Sequence, residues 1–282
     1  MAHCIISEAE ALLDKKFPVL DKGFIRLVDY MGGDARVVQA ARVSYGAGTK
    51  SLREDAGLID YLLRNQHTSP FEQVVLTFHV KLPIFVARQW IRHRTARVNE
   101  VSGRYSVMKD DFYAPELEDI AAQSADNKQG RGAAFEAEEA AAAQASLKSV
   151  QKDMYAAYAE LIDRGVAREL ARINLPLSLY TEWYWQIDLH NLFHFLELRL
   201  DAHAQKEIRL YAQTLFAITK SVAPLCCAAF ERHVLGGVRF SREEFAELQN
   251  RLGNSGGAGC GARLAGKELE RFEEKLYAGS PT

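Results

Sequence analysis

The chain predicts an α+β fold in which mixed helices surround a small, central, antiparallel-rich sheet. Three observations lead there. Strand-like runs are few and far apart, at 24–30 (FIRLVDY), 74–80 (VVLTFHV) and 178–187 (SLYTEWYWQI). Helical stretches fill the gaps without the regular strand–helix alternation of a doubly wound parallel sheet. No Gly-x-Gly-x-x-Gly fingerprint occurs anywhere in the chain.

With 282 residues the chain can hold one large domain or two. We expect a main domain over 1–236, with an insertion near 118–140, and peripheral C-terminal helices with a glycine-rich linker over 237–282. Hydrophobic residues make up 48 % and charged residues 26 %, the balance of a soluble globular protein. The net charge of -2 lacks the basic excess of a nucleic-acid binder. No apolar run reaches the roughly 18 residues of a membrane span. The N-terminus, MAHCIISEAEALLDKKF, carries early acids and does not read as a signal peptide. The expectation is a cytoplasmic protein with neither nucleic acid nor membrane as partner. Cys4, Cys226, Cys227 and Cys260 form no Cys-x-x-Cys pair, and APLCCAAFERHVL reads as a buried helix face with inert thiols.

The elements follow in order. A first strand at 24–30 leads to a short helix over 34–43. The loop YGAGTK, 45–50, looks like a P-loop but breaks the Gly-Lys-Ser/Thr order, so it reads as a glycine turn. Ser51-Leu-Arg-Glu54 is a capping box opening a helix to about 64, and Ser69-Pro70-Phe71-Glu72 reads as a second box with Pro at the first helical position. The β-branched and aromatic run at 74–80 is a strand. Pro83 then opens a helix, IFVARQWIRHR, with Ile84, Ala87, Trp90 and Ile91 on one side and Arg88, Gln89, Arg92 and His93 on another. Residues 117–145, rich in Ala and Glu, read as a mobile loop to about Gly132 and then the start of a long helix capped near Gly165. A short helix reaches about Ile173, and the aromatic strand at 178–187 follows. Helices at about 188–199, 201–221 and 224–235 come next, then a capping box at Ser241-Arg-Glu-Glu244 and the run GNSGGAGCGARLAG.

The densest chemistry lies in RHRTARVNEVSGRYS, residues 92–106. Arginine presents a rigid fork of donors that matches phosphate bidentately, so Arg88, Gln89, Arg92, Arg94 and Arg104 suit a fixed polyanion. Asn99 and Glu100 can accept from sugar hydroxyls or a base edge, and Ser102 can do both at short range. The alternative is a structural salt-bridge network. A second constellation is His190, His194 and Glu197, spaced i, i+4, i+7. That spacing supports a rival reading as a metal-dependent hydrolase, although there is no His-Glu-x-x-His and no evident third ligand. Arg168, Arg172, Arg199 and His203 add to the cationic inventory, and a nucleotide sensor without turnover is a further rival.

Arg92-His93-Arg94, seven residues and then Ser102 resembles the signature of the flavin-dependent thymidylate synthases. HTSPFEQ (67–73), FVARQWIRHR (85–94), LARINLPLSLYTEWYW (170–185) and LRLDAHAQKEIR (198–209) are similar to the same family. The resemblance implies reductive methylation of dUMP with methylenetetrahydrofolate as carbon donor. It also implies NADPH as reductant, bound FAD as hydride source, and a homotetramer with shared active sites. The FAD site would be a non-Rossmann one. Carried over residue by residue, Ser69, Arg92, His93, Arg94, Thr95, Glu100, Asp188, His190 and His194 would contact the flavin, with His67 near the flavin and folate face. Gln89, Trp90, Ile91, Arg92, Glu100, Val101, Ser102, Gly103, Arg104, Arg172 and Arg199 would bind the nucleotide. Arg199 matches the arginine that activates the uracil ring. Some members carry other residues at 188, 190 and 194, while others share DLHNLFHFL. No metal is implied, and the family's mechanism, unlike that of the classical thymidylate synthases, needs no Cys nucleophile.

Overall fold

The computed structural model describes residues 4–43, 52–125, 128–254, 269 and 272. The chain divides into two compact units, Met1–Leu235 and Gly236–Thr282. The first begins with α1 (Ser7–Glu10), β1 (Lys16–Val19), β2 (Gly23–Met31), α2 (Asp34–Arg42) and α3 (Leu52–Arg64). Next come β3 (Val75–Pro83), α4 (Ile84–Trp90), β4 (Arg97–Glu100), β5 (Ala121–Gln123), β6 (Arg131–Ala134) and α5 (Ala137–Asp163). It closes with α6 (Arg168–Ala171), β7 (Tyr180–Asp188), α7 (Leu189–Arg199), α8 (Lys206–Val222) and α9 (Pro224–Phe230). The second unit contains α10 (Arg242–Asn254), where Ser241 and Glu244 form the expected reciprocal cap at 2.7 and 3.2 Å.

Five strands form one sheet in the order β1-β2-β3-β7-β4, and every pairing is antiparallel. The centre, β3 against β7, is set by a strict period of two. Leu76, Phe78, Val80 and Leu82 point into the core, while Thr77, His79 and Lys81 point away. Strand β7 does the same with Trp183, Trp185 and Ile187 inward and Glu182, Tyr184 and Gln186 outward. Helices α7, α8 and α9 contribute Leu192, Phe195, Tyr211, Leu215 and Phe230 to this core. Trp90, fully buried at the end of α4, lies within 6 Å of the rings of Trp183, Trp185, Phe195 and Tyr211 (5.7, 5.1, 4.7 and 5.9 Å). Burial of such a side chain stabilises by about 2–3 kcal/mol, so this indole fixes α4 on the sheet.

Several expectations change. The helix after Pro83 stops at Trp90, four residues short of Arg94. The cause is tertiary: the chain must leave the helix to pair 97–100 with β7 as the edge strand β4. Arg92 and His93 therefore do not extend the polar face of Arg88 and Gln89, and Ile91 is 51 % exposed rather than packed. Segment 69–72 makes one 3-10 turn, Phe71–Gln73, without a side-chain cap; Thr68, not Ser69, bonds Glu72. The expected mobile loop is a hairpin, β5 against β6. Strand β1, missed in the sequence, pairs with β2 at the edge of the sheet. Helix α5 closes at Gly165 (φ 79°), where Gly165 N–H donates to Ile162 and Val166 N–H to Leu161, a Schellman motif. Residues 45–50, Ser51 and the glycine-rich run from 255 lie outside the described residues.

Candidate active site

Strand β7 passes directly into α7, and Asp188 caps the junction. Its carboxylate accepts from Asn191 N–H at 2.9 Å and from the Asn191 amide at 2.7 Å. That cap sets the helix phase. Leu189, Leu192, Phe193, Phe195 and Leu196 are buried, while His190, His194 and Glu197 lie outward. Arg199 ends the helix, where a cation suits the negative end of the helix dipole.

Arg199 meets His93 from the turn after α4. The Arg199 Nε–H donates to His93 Nε2 at 3.1 Å. A guanidinium only donates, so this bond requires a lone pair on Nε2 and the neutral Nδ1–H tautomer. The His93 ring packs against Phe195 (4.8 Å) and sits 5.9 Å from His194. Burial, then the Arg199 charge, then His194, push the imidazole down to about 4. Burial also lowers the guanidinium of Arg199. His93 of the signature and Arg199, 106 residues further along the chain, thus form one half-buried pair.

The second half of the signature is held by the edge of the sheet. Glu100 accepts from the Thr181 hydroxyl at 2.5 Å, and Val101 N–H donates to Glu182 O at 2.9 Å. The Ser102 carbonyl accepts from Tyr105 N–H and Ser106 N–H at 3.1 Å, and its Oγ accepts from Arg104 N–H at 3.3 Å. A Cβ at Gly103 would come within 3.0 Å of Arg172 Cδ and Met108 Sδ, so glycine lets Arg172 close over the turn. Arg104 pairs with Glu169 at 2.9 Å on the exposed side. Glu100, Gly103, Arg172 and Thr181 line a cavity of about 280 Å³. The structure thus joins Glu100, Val101, Ser102, Gly103, Arg104 and Arg172.

Other candidates fall elsewhere. Gln89 donates to the Gln205 side chain. Trp90 is 0 % exposed, and its ring belongs to the core. Ser69, Arg92, Arg94 and Thr95 are exposed. Among the described residues Arg88, Arg92, Arg94 and Arg97 form no ion pair, so four guanidiniums remain for an anionic ligand. His190, His194 and Glu197 share α7, but among the described residues no three His, Cys, Asp or Glu side chains gather as a metal ion requires. The hydrolase reading therefore has no support. Cys226 and Cys227 are buried, and burial raises both thiols, the opposite of an activated nucleophile.

Sequence reasoning missed the outer face of the sheet. There His79 stacks on Tyr184 at 4.9 Å and bonds Glu182 at 3.1 Å, in a cleft of about 520 Å³ that Lys81, Asn99 and Glu100 also line. The alternation in TFHVK and TEWYWQ was the available signal.

The fold and site define a mixed α/β protein with a small antiparallel sheet and an arginine-rich site at its edge. Residues 26–225 match the family described as thymidylate synthase complementing protein, and residues 238–282 match the thymidylate synthase ThyX C-terminal domain. A flavin-dependent thymidylate synthase of Treponema denticola is 67 % identical over 268 residues, covering 95 % of this chain and 99 % of that protein. One from Treponema pallidum is 61 % identical over 280 residues, covering 99 % and 90 %. The crystal structure of the UMP/dUMP methylase PolB of Streptomyces cacaoi, bound with 5-Br UMP, superposes with a TM-score of 0.70. It is 32 % identical and covers 77 % of this chain and 96 % of that one. The chain belongs to the flavin-dependent thymidylate synthase family.

Proposed function

We propose that this chain methylates dUMP to dTMP, taking the carbon from methylenetetrahydrofolate and reducing equivalents from NADPH through FAD. The observation that carries the reading is the His93–Arg199 pair, which joins the family signature to a half-buried cation. Bound FAD would supply the hydride.

The chain's residues fit such a group. A dinucleotide brings a pyrophosphate, and the exposed, unpaired Arg92 and Arg94 offer donors for it. Ser69, Thr95, Glu100, His190 and His194 complete the proposed flavin set, with His93 and Asp188 contributing from positions fixed by their own hydrogen bonds. With an antiparallel sheet and no glycine fingerprint, this is a non-Rossmann site.

Arg104 and Arg172 hold the nucleotide phosphate, and Ser102 and Gly103 shape the turn that carries them. Gln89, Ile91, Glu100 and Val101 address the sugar and base, while Trp90 anchors that segment from the core. Arg199 sets its guanidinium against the uracil imide. An adjacent cation in a dry site favours the ionised N3, which raises electron density on the ring carbon that accepts the one-carbon unit. The folate would meet the flavin on the side of His67.

Among the described residues no hydrogen bond or ion pair joins the Arg104–Arg172 group to the His93–Arg199 group. A homotetramer in which one site draws on more than one subunit would bring the two groups to one ligand. Residues 1–236 supply the catalytic unit. The test is spectroscopic and chemical together. Purified protein given FAD and freed of excess keeps flavin bands that NADPH bleaches anaerobically, and forms dTMP. Arg199→Ala keeps the bands and forms none. A colourless wild-type protein under every nucleotide condition sinks the reading.

A further inference from the structure

We propose that His93 is a positioning residue for Arg199: its neutral Nε2 locks the guanidinium by Nε and leaves the Nη1 and Nη2 edge for the uracil imide. This rests on the synthase reading and adds to it, since that reading gives His93 only a place beside the flavin.

The geometry supplies each step. His93 is fixed before any ligand arrives, because its N–H donates to Trp90 O at 3.0 Å and Trp90 is fully buried in the core. The ring is wedged against Phe195, one helical turn before Arg199 on α7. The 3.1 Å bond joins His93 Nε2 to Nε, the guanidinium nitrogen attached to the alkyl chain. Among the described residues Nη1 and Nη2 carry no hydrogen bond, so the outer edge is open to an acceptor. An arginine has several freely rotating bonds, and holding Nε removes most of that freedom before binding.

The neutrality of His93 matters to the same device. A protonated ring would place a second donor and a second positive charge against Arg199. Its surroundings oppose that: burial, Arg199 and His194 all favour the uncharged ring. The pair therefore presents one cation, aimed, rather than two in conflict.

A double-mutant cycle on FAD-saturated protein tests this, with dUMP affinity measured by calorimetry. His93→Phe weakens dUMP binding about tenfold or more, in the range of a hydrogen bond to a charged group. On an Arg199→Ala background the same change costs less than about twofold, because nothing remains to position. His93→Gln, whose Oε1 can accept from Nε, recovers most of the wild-type affinity. Equal costs of His93→Phe in both backgrounds overturn the proposal and leave His93 as a flavin or packing residue. So does a His93→Gln protein as weak as His93→Phe. Wild-type protein that holds FAD but binds no dUMP defeats the synthase reading itself, which separates the two failures.

Discussion

An arginine can favour an imide anion only if it is partly desolvated and still has an edge to spare. Arg199 meets both conditions because its one internal bond uses Nε and an uncharged acceptor. The neutral state of that acceptor has a consequence for stability. His93 titrates at about 4 in the folded chain against an ordinary value of 6.5. Within that window the unfolded chain binds a proton that the folded chain refuses, so stability falls as pH drops from 6.5 toward 4 and is untouched above it. His93→Gln cannot titrate and should lose less stability on acidification. Urea midpoints of both proteins at about pH 7 and about pH 5 check this, and parallel losses would contradict it. At this scale the sequence was partly legible. The resemblance placed His93 and Arg199 in one site, but no spacing rule pairs residues 106 positions apart through space. Trp90 shows a related limit: a residue inside such a segment can serve it from beneath, and its burial in the core is visible only in the fold.

The elements were legible where one period dominated. Strands β3 and β7 alternate cleanly, and α3, α7 and α8 follow their apolar stripes. Strand β4 has four exposed residues and no period, so nothing short of its pairing with β7 reveals it. The hairpin β5–β6 was hidden by its Ala, Gly and polar composition. What holds it is a charge cluster around the buried Glu207. Arg131 bonds Glu207, which is 2 % exposed and also accepts from the Tyr113 hydroxyl at 3.0 Å, and Lys206 bonds Asp119. Glu207 and Lys206 open α8, one residue beyond the Gln205 that meets Gln89. The insertion thus braces the chain between Arg199 and α8 rather than hanging free. Arg131→Ala leaves the Glu207 carboxylate buried without its cation, at a cost of about 1–3 kcal/mol. A urea midpoint unchanged by Arg131→Ala would show that the hairpin is not anchored there.

At the scale of the whole molecule, the surface around the signature arginines is open. Arg92, Arg94 and Thr95 stand exposed, and so do the apolar Val98, Val101, Tyr105 and Val107 around them (39, 44, 81 and 47 %). Exposed apolar groups interleaved with unpaired arginines suit a surface that is covered by both a ligand and another subunit. Sequence pattern cannot show this, because an interface residue and a solvated one share the same periodicity. If each site takes Arg199 from one subunit and Arg104 from another, two inactive variants can repair each other. Arg199→Ala and Arg104→Ala proteins, each inactive alone, should regain dTMP formation when co-expressed. With free mixing about a quarter of sites receive both intact side chains, since each is present half the time. Turnover near that fraction of wild type, in particles of four times the chain mass, fits shared sites. Mixed tetramers that stay inactive would place Arg104 and Arg199 of one site on the same subunit.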